Sequence, residues 1–148
     1  MEEPRPRASP VSGMRVLLVE DDPAQLDEYL RILDRFGCVV FPAATAEAGI
    51  EWARSVPLDA IMTDHVLPGM SGLRSIAEYA KSTRAPVLVM TSHFDADLEK
   101  DARLLGAKAA FAKPLILEAL AGELAAFGTT TVDPQGAEEL LTPEDSRV

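Results

Sequence analysis

Five side chains of this sequence could carry out one reaction together, because each follows or ends a short apolar run of the chain. Glu20 and Asp21 follow the first run, Asp64 the third, Thr91 the fourth and Lys113 the fifth. If the runs are parallel strands of one sheet, their carboxyl ends lie at one edge, and the five side chains meet there. Singly, each has an ordinary explanation as a helix cap, a strand residue or a solvated chain end. Jointly, they indicate a reaction site.

The reaction that these groups suit is phosphoryl transfer to a carboxylate. Clustered carboxylates repel one another unless a divalent cation lies among them, and their hard oxygens favour Mg²⁺ or Mn²⁺. Asp64 would then attack phosphorus in line, while the cation and the Lys113 ammonium stabilise charge on the phosphoryl oxygens. The Thr91 hydroxyl would serve a third oxygen. We therefore predict an aspartyl phosphate at Asp64.

The elements that position these side chains follow from the periodicity of the sequence. Short apolar runs alternate with segments of helical period, which predicts an α/β fold of five βα units, (βα)5, around a doubly wound, five-stranded parallel sheet. The predicted strands span residues 15–20, 38–41, 60–63, 87–90 and 109–112. The predicted helices span residues 23–36, 45–55, 71–81, 95–105 and 115–127.

Composition excludes several classes of function. The net charge of -10 argues against sequence-independent nucleic-acid binding, which needs clustered Lys and Arg. A protein or a cation is the better partner for such a chain. The sequence has no glycine-rich phosphate loop and no zinc-spaced set of Cys and His, which removes nucleotide hydrolysis and structural zinc. Cys38 is the only cysteine and reads as a reduced core thiol.

The chain reads as one domain with two tails. Residues 1–13 hold three prolines, and the charged residues of 128–148 are mostly acidic, so both segments predict flexible tails around a domain over residues 14–127. Within the second tail, residues 135–141 could form a short docking helix, although disorder is the simpler reading. The sequence lacks a secretory signal and a long uncharged apolar window, so we predict a cytoplasmic protein without membrane contact.

Four motifs identify a family. Val-Glu-Asp-Asp-Pro, Thr-Asp-His-Val-Leu-Pro-Gly-Met-Ser-Gly, Val-Met-Thr-Ser and Ala-Lys-Pro occur in that order. Over residues 15–127 the chain resembles the response-regulator receiver domains of bacterial two-component signalling, which have a flavodoxin-like fold. The resemblance implies that Asp64 is the phosphoacceptor and that Glu20 and Asp21 hold Mg²⁺. By the same likeness, the backbone carbonyl of Val66 completes the protein's metal ligands.

The resemblance also implies roles for residues near the last two strands. Thr91 would be the switch hydroxyl, and Lys113 would bridge the phosphoryl group. The Lys113-Pro114 peptide bond is expected to be cis, although only about 5% of X-Pro bonds in folded proteins are. Asp22 is expected to cap a helix and not to bind metal.

The family implies a signalling role that depends on partner proteins. A single-domain receiver of the chemotaxis type takes its phosphoryl group from a sensor histidine kinase or a histidine phosphotransfer protein and then acts on a downstream protein target. The first helix, with Gln25, Leu26 and Tyr29, is the expected kinase-docking surface. Such a protein is not an enzyme beyond its own phosphorylation and dephosphorylation, and we expect a monomer or a weak dimer.

The sequence departs from the family pattern at one position. Most receivers carry Tyr or Phe three residues before the lysine, where the ring turns inward as the switch threonine moves. Here that position is Ala110, and strand alternation sends Phe111 to the opposite face. We therefore expect phosphorylation without the usual aromatic coupling to Thr91.

Three loop residues lie close to the predicted site. By resemblance, Val66 and His93 occupy the positions that tune the lifetime of the phosphoryl group. His93 could influence attack by water because imidazole titrates near neutrality, or it could be a solvated loop residue. Strand alternation turns His65 away from Asp64, so we predict that His65 is a loop residue.

Two other functions compete with this interpretation. A phosphorylation-independent interaction module of the same fold would explain the missing aromatic but not the complete set of reactive residues. A dehalogenase-type phosphatase also forms an aspartyl phosphate, but it needs a second aspartate two residues after the nucleophile. Val66 occupies that place.

Overall fold

The computed structural model describes residues 11–115 together with Gly122, Leu124 and Ala126. Strands and helices alternate along this part of the chain, as predicted. The strands are β1 (Arg15–Val19), β2 (Val39–Ala43), β3 (Ala60–Asp64), β4 (Val87–Thr91) and β5 (Ala109–Ala112). The helices are α1 (Pro23–Arg35), α2 (Ala46–Ser55), α3 (Gly72–Ser82) and α4 (Ala96–Leu105). None of the described helices is long and apolar enough to cross a bilayer.

All strand pairs are parallel, and the strand order is β2-β1-β3-β4-β5. The predicted doubly wound α/β sheet is therefore confirmed. In this order the connections change direction beside β1, so a crevice forms at the carboxyl ends of β1 and β3. The fold thus places its binding crevice where the acidic residues follow their strands.

Local signals in the sequence set where the helices begin and end. The side chain of Asp22 accepts hydrogen bonds from two backbone N–H groups of the first turn of α1, as predicted for a helix cap. Ser71 and Asp95 cap α3 and α4 in the same way. Gly106 ends α4 with φ of 118°, in the left-handed region that glycine adopts most readily.

The strand boundaries differ slightly from the predicted ones. β3 and β4 each run one residue further, because Asp64 pairs with Met90 and Thr91 pairs with Ala112. β2 starts one residue later and includes Pro42, which is tolerated because β2 is an edge strand. The helix predicted over residues 115–127 lies mostly outside the described residues; of its four described positions, Gly122, Leu124 and Ala126 are helical and Leu115 is not.

The predicted amino-terminal tail is too long at its inner end. Val11 is fully buried, and the N–H of Gly13 donates to the carbonyl of Gly37 at 2.8 Å. The buried Cys38, a free thiol as predicted, donates to the carbonyl of Val11. Residues 11–13 therefore pack on the domain, because an apolar residue among the prolines finds a place in the core. The remaining tail residues lie outside the described part, as does the whole carboxyl-terminal tail.

The core has two halves, one on each face of the sheet. Helices α2, α3 and α4 cover one face, and α1 covers the other together with Leu124. Ala110 belongs to the first face and Phe111 to the second, so the predicted alternation in β5 is confirmed. No aromatic ring of β5 therefore lies on the face that carries Thr91.

The core face under α2 and α3 contains a buried hydroxyl without a hydrogen bond. Tyr79 is fully buried, and its hydroxyl has no hydrogen-bond partner among the described residues. The ring reaches across to α2 because Gly49 has no side chain; a Cβ there would lie 2.5 Å from the Tyr79 hydroxyl. Tyr79 thus gains packing at the expense of an unsatisfied polar group.

Tyr79→Phe is expected to leave the free energy of unfolding unchanged or to raise it by about 1 kcal/mol, because it removes only the unsatisfied hydroxyl. Urea denaturation measures the change. Ser71→Ala is the control for loss of a satisfied hydroxyl, since the Ser71 side chain caps α3 by accepting from the Arg74 N–H at 3.1 Å and its loss should cost about 1 kcal/mol. A destabilised Tyr79→Phe variant would mean that the hydroxyl has a partner.

Candidate functional site

Three carboxylates meet at the carboxyl ends of β1 and β3. Glu20 and Asp21 directly follow β1, and Asp64 is the last residue of β3. One oxygen of each lies within 4.8 Å of the others. Glu20 is 1% exposed and Asp64 is 7% exposed, whereas Asp21 is exposed. The cluster is therefore buried at its base and open to solvent on one side.

Lys113 reaches into this cluster from the end of β5. Its Nζ donates to Glu20 Oε1 at 2.6 Å and lies 3.3 Å from Asp64 Oδ2. It also donates to Gln25 Oε1 at 2.9 Å. The lysine side chain is only 8% exposed, so these contacts are shielded from water. The Lys113-Pro114 bond is cis, as predicted.

The pKa shifts in the cluster reflect burial first and the neighbouring charges second. Burial raises the pKa of the Glu20 carboxyl, and the charge of Asp64 raises it further, against opposing hydrogen bonds from Lys113 and the Asp22 backbone. Burial alone would lower the pKa of Lys113, but the hydrogen bond to Glu20 and the charge of Asp64 raise it above its usual value. One ammonium therefore does not balance the carboxylates, and the site favours a further cation.

The acidic cluster fits a small, hard divalent cation. One oxygen from each of the three carboxylates lies within 4.8 Å of the others, so a single small ion could contact all three. The ligand atoms are carboxylate oxygens, which Mg²⁺ and Mn²⁺ prefer. The exposed Asp21 leaves room for the water ligands that Mg²⁺ retains.

Thr91, the last residue of β4, is 1% exposed. Its hydroxyl accepts a hydrogen bond from the backbone N–H of His93 at 3.0 Å, and its Oγ1 lies 3.4 Å from His65 Nδ1. The hydroxyl therefore has both a donor and an imidazole beside it.

His65 lies in the loop directly after β3, as predicted, and it contacts Thr91. Alternation turns His65 to the face opposite Asp64, and that face carries Thr91. The N–H of His65 donates to the carbonyl of Met90 at 2.8 Å, which holds the residue close to β4. His65 therefore lies beside Thr91, a contact that alternation alone does not predict.

The two predicted lifetime residues lie around the mouth of the site. Val66, in the loop after β3, is 63% exposed, and His93 is exposed in the loop after β4. Phe94, next to His93, is 42% exposed. The roles proposed for the Val66 carbonyl and the His93 side chain stay predictions.

Two residues of the site are not predicted as such from the sequence. Gln25 is predicted only as part of a docking surface, yet its side-chain oxygen accepts a hydrogen bond from Lys113. Gly72 packs so closely on Asp64 that a Cβ would overlap the Asp64 carbonyl, and its N–H donates to the carbonyl of His65 at 3.0 Å. The signal for Gly72 in the sequence is a glycine at the first position of a helix, where most other residues are more favourable.

Comparison with known proteins agrees with this geometry. Residues 16–125 match the family described as response regulator receiver domain. The chain is 34% identical over 128 residues to the transcriptional regulatory protein QseB of Escherichia coli O157:H7, an alignment that covers 86% of this chain and 58% of QseB. The chain thus spans less than two thirds of that relative.

Two solved structures share the fold. A response regulator protein from Burkholderia pseudomallei, solved with a phosphorylated aspartic acid, calcium ion and citrate, has a TM-score of 0.71 and 27% identity over 86% of this chain and 74% of that one. The receiver domain of the sensor histidine kinase PA1611 from Pseudomonas aeruginosa PAO1, solved with magnesium in its active site cleft, has a TM-score of 0.71 and 24% identity over 78% and 98% of the two chains.

The family match covers most of the domain, and the fold, the strand order and the acidic crevice agree with it. The chain belongs to the response regulator receiver domain family of two-component signalling.

Proposed function

We propose that this receiver domain accepts a phosphoryl group on Asp64 and signals through protein contacts that depend on the modification. The observation that carries the proposal is the convergence of Glu20, Asp64 and Lys113, with the ammonium 2.6 Å and 3.3 Å from the two carboxylates. In the transfer, a bond forms between an Asp64 oxygen and phosphorus. The bond from phosphorus to the donor breaks, and the donor leaves with that electron pair.

The other residues would have distinct tasks in this transfer. Glu20, Asp21, Asp64 and the Val66 carbonyl would hold Mg²⁺ or Mn²⁺, which when bound supplies positive charge beside the phosphoryl oxygens. Lys113 would pair with one phosphoryl oxygen and keep water out of that side of the site. Thr91 would turn its hydroxyl from the imidazole to another oxygen.

The proposed partners follow from the family. The donor would be a sensor histidine kinase or a histidine phosphotransfer protein that docks on α1 near Leu26, and the output would be a downstream protein. Tyr29, predicted as part of this docking surface, is buried in the core beneath α1. The receiver from Burkholderia pseudomallei supports the chemistry, since its structure holds a phosphorylated aspartic acid. A receiver domain bound to magnesium supports the cation.

Intact mass spectrometry after incubation with acetyl phosphate tests the proposal. We expect the mass of one phosphoryl group to appear when Mg²⁺ is present and not when it is chelated. The added group should be lost on treatment with hydroxylamine, which cleaves acyl phosphates. A phosphorylation-independent interaction module would gain no mass under either condition, and that result would overturn the proposal.

A further inference from the structure

A closed ring of hydrogen bonds holds Lys113 in place. Lys113 Nζ donates to Glu20 Oε1 at 2.6 Å and to Gln25 Oε1 at 2.9 Å. Gln25 Nε2 donates to Asp22 Oδ2 at 3.2 Å, and the N–H of Asp22 donates to Glu20 Oε2 at 3.1 Å. We call these four residues the lysine ring. It joins the end of β1, the first turn of α1 and the loop after β5.

The orientation of the Gln25 amide is fixed by its partners. An ammonium offers only hydrogen-bond donors and an ionised carboxylate only acceptors, so the amide oxygen must face Lys113 and the amide nitrogen must face Asp22. Reversing the amide would break both contacts. Gln25 is therefore the type of residue that links a cation to an anion while it carries no charge itself.

The contacts of Gln25 are not needed to start the helix. Asp22 already caps α1 by accepting backbone N–H groups of Ala24 at 2.9 Å and Gln25 at 3.4 Å through Oδ1. The bond to the Gln25 side chain uses the other oxygen, Oδ2. Helix capping and the hold on Lys113 thus use different atoms and can be separated by mutation.

We propose that Gln25 is a positioning residue that keeps the Lys113 ammonium in place for a phosphoryl oxygen. This inference rests on the proposed phosphorylation of Asp64. The ammonium has three hydrogens, and Glu20, Gln25 and Asp64 surround it. Gln25 is the neutral acceptor among them and lies outside the acidic cluster, so it keeps its contact whatever the carboxylates bind.

The burial of Lys113 makes this neutral contact matter. Its side chain is only 8% exposed, so water does not readily replace a missing acceptor. When Asp64 is modified, a phosphoryl oxygen takes one ammonium hydrogen and the neutral amide still takes another. Without Gln25, the ammonium would have to be drawn back toward Glu20 and away from the phosphoryl group.

Gln25→Met tests the inference, because methionine keeps the length of the side chain but accepts no strong hydrogen bond. We expect the variant to bind beryllium trifluoride, an acyl-phosphate mimic, about tenfold more weakly in the presence of Mg²⁺, as for one lost hydrogen bond to a charged group. The melting temperature should stay close to that of the wild type. Arg31→Met is the control on the exposed surface of α1, where Arg31 pairs with Asp27 at 3.3 Å, and it should bind the mimic normally.

A second measurement needs neither metal nor phosphoryl mimic. In the wild type, the buried and hydrogen-bonded Lys113 ammonium should exchange slowly with water and give its own ¹⁵N NMR signal. Gln25→Met should shift that signal or remove it, whereas Arg31→Met should leave it in place. A residue that only stabilises α1 would not affect the lysine signal.

Asp22→Ser provides a second variant that keeps the helix cap. Serine caps helices well but offers no second oxygen to hold the Gln25 amide. Asp22→Ser should weaken binding of the mimic as Gln25→Met does, but by less. The double variant should bind the mimic no more weakly than Gln25→Met alone. Wild-type affinity and an unchanged lysine signal in Gln25→Met would overturn the inference. A wild type that fails to bind the mimic would instead overturn the proposed function.

Discussion

Asp64→Asn is expected to abolish labelling of the protein by acetyl phosphate, because a neutral amide cannot act as the nucleophile. The rate should fall below detection, a loss of at least about a thousandfold. Asp64 is the carboxylate whose oxygen lies within reach of both the acidic pair and Lys113. Intact mass spectrometry of the wild type and the variant, with Mg²⁺ present, measures the difference.

The control for this substitution is Asp101→Asn on the exposed surface of α4. It removes the same charge far from the acidic cluster and should be labelled like the wild type. The fold of Asp64→Asn should remain intact, since the substitution also relieves repulsion between Asp64 and Glu20. Equal labelling of the wild type and Asp64→Asn would show that the phosphoryl group goes elsewhere.

Lys113→Met is expected to lower the free energy of unfolding at neutral pH by about 3 kcal/mol, the usual cost of leaving one partner of a buried ion pair alone. Glu20 is 1% exposed and would keep only the backbone N–H of Asp22 as a hydrogen-bond donor. Methionine fills the space of the lysine stem, so the loss reports charge and not packing. Urea denaturation measures the change.

The destabilisation of Lys113→Met should depend on pH with a defined sign. The hydrogen bond from Lys113 lowers the pKa of Glu20, so its loss raises a pKa that burial has already raised. A carboxyl whose folded-state pKa exceeds its unfolded value costs nothing below the unfolded pKa, and the cost grows as pH rises toward the folded one. The variant should therefore approach the stability of the wild type near the usual glutamate pKa of about 4.3.

Lys81→Met is the control for Lys113→Met. Lys81 lies 3.7 Å from Glu78, and its side chain is 74% exposed, so its ion pair contributes little. The control should change stability by less than about 1 kcal/mol at any pH. A similar loss in both variants would contradict a special role for burial at Lys113.

The fold could be predicted from sequence because its signals are local. Three helices can be predicted from their N-cap residues Asp22, Ser71 and Asp95, which bond backbone groups only two or three positions away. The apolar runs between the helices have the length of buried strands. Parallel strands bring their carboxyl ends to one edge, so the meeting of the acidic residues with Lys113 also followed from the element order.

The parts that could not be predicted depend on pairs of distant residues. A glutamine in the first turn of an amphipathic helix is expected to be solvated. Its contact with Lys113 joins residues 88 positions apart and follows only from the tertiary fold. For His65, alternation predicts the correct face of the sheet. It does not predict the contact with Thr91 on that face, which depends on the register between β3 and β4. Val11 looked like part of a tail because three prolines precede it, and only the folded core shows the space that it fills.

The close approach of Tyr79 to Gly49 constrains the order in which this protein can evolve. A methyl group at position 49 would meet the phenolic oxygen at 2.5 Å and a Val19 methyl at 2.9 Å. Loss of that oxygen from residue 79 would relieve the shorter of the two clashes. Alanine at position 49 is therefore more accessible to a lineage that has already exchanged tyrosine for phenylalanine than to one that mutates in the reverse order.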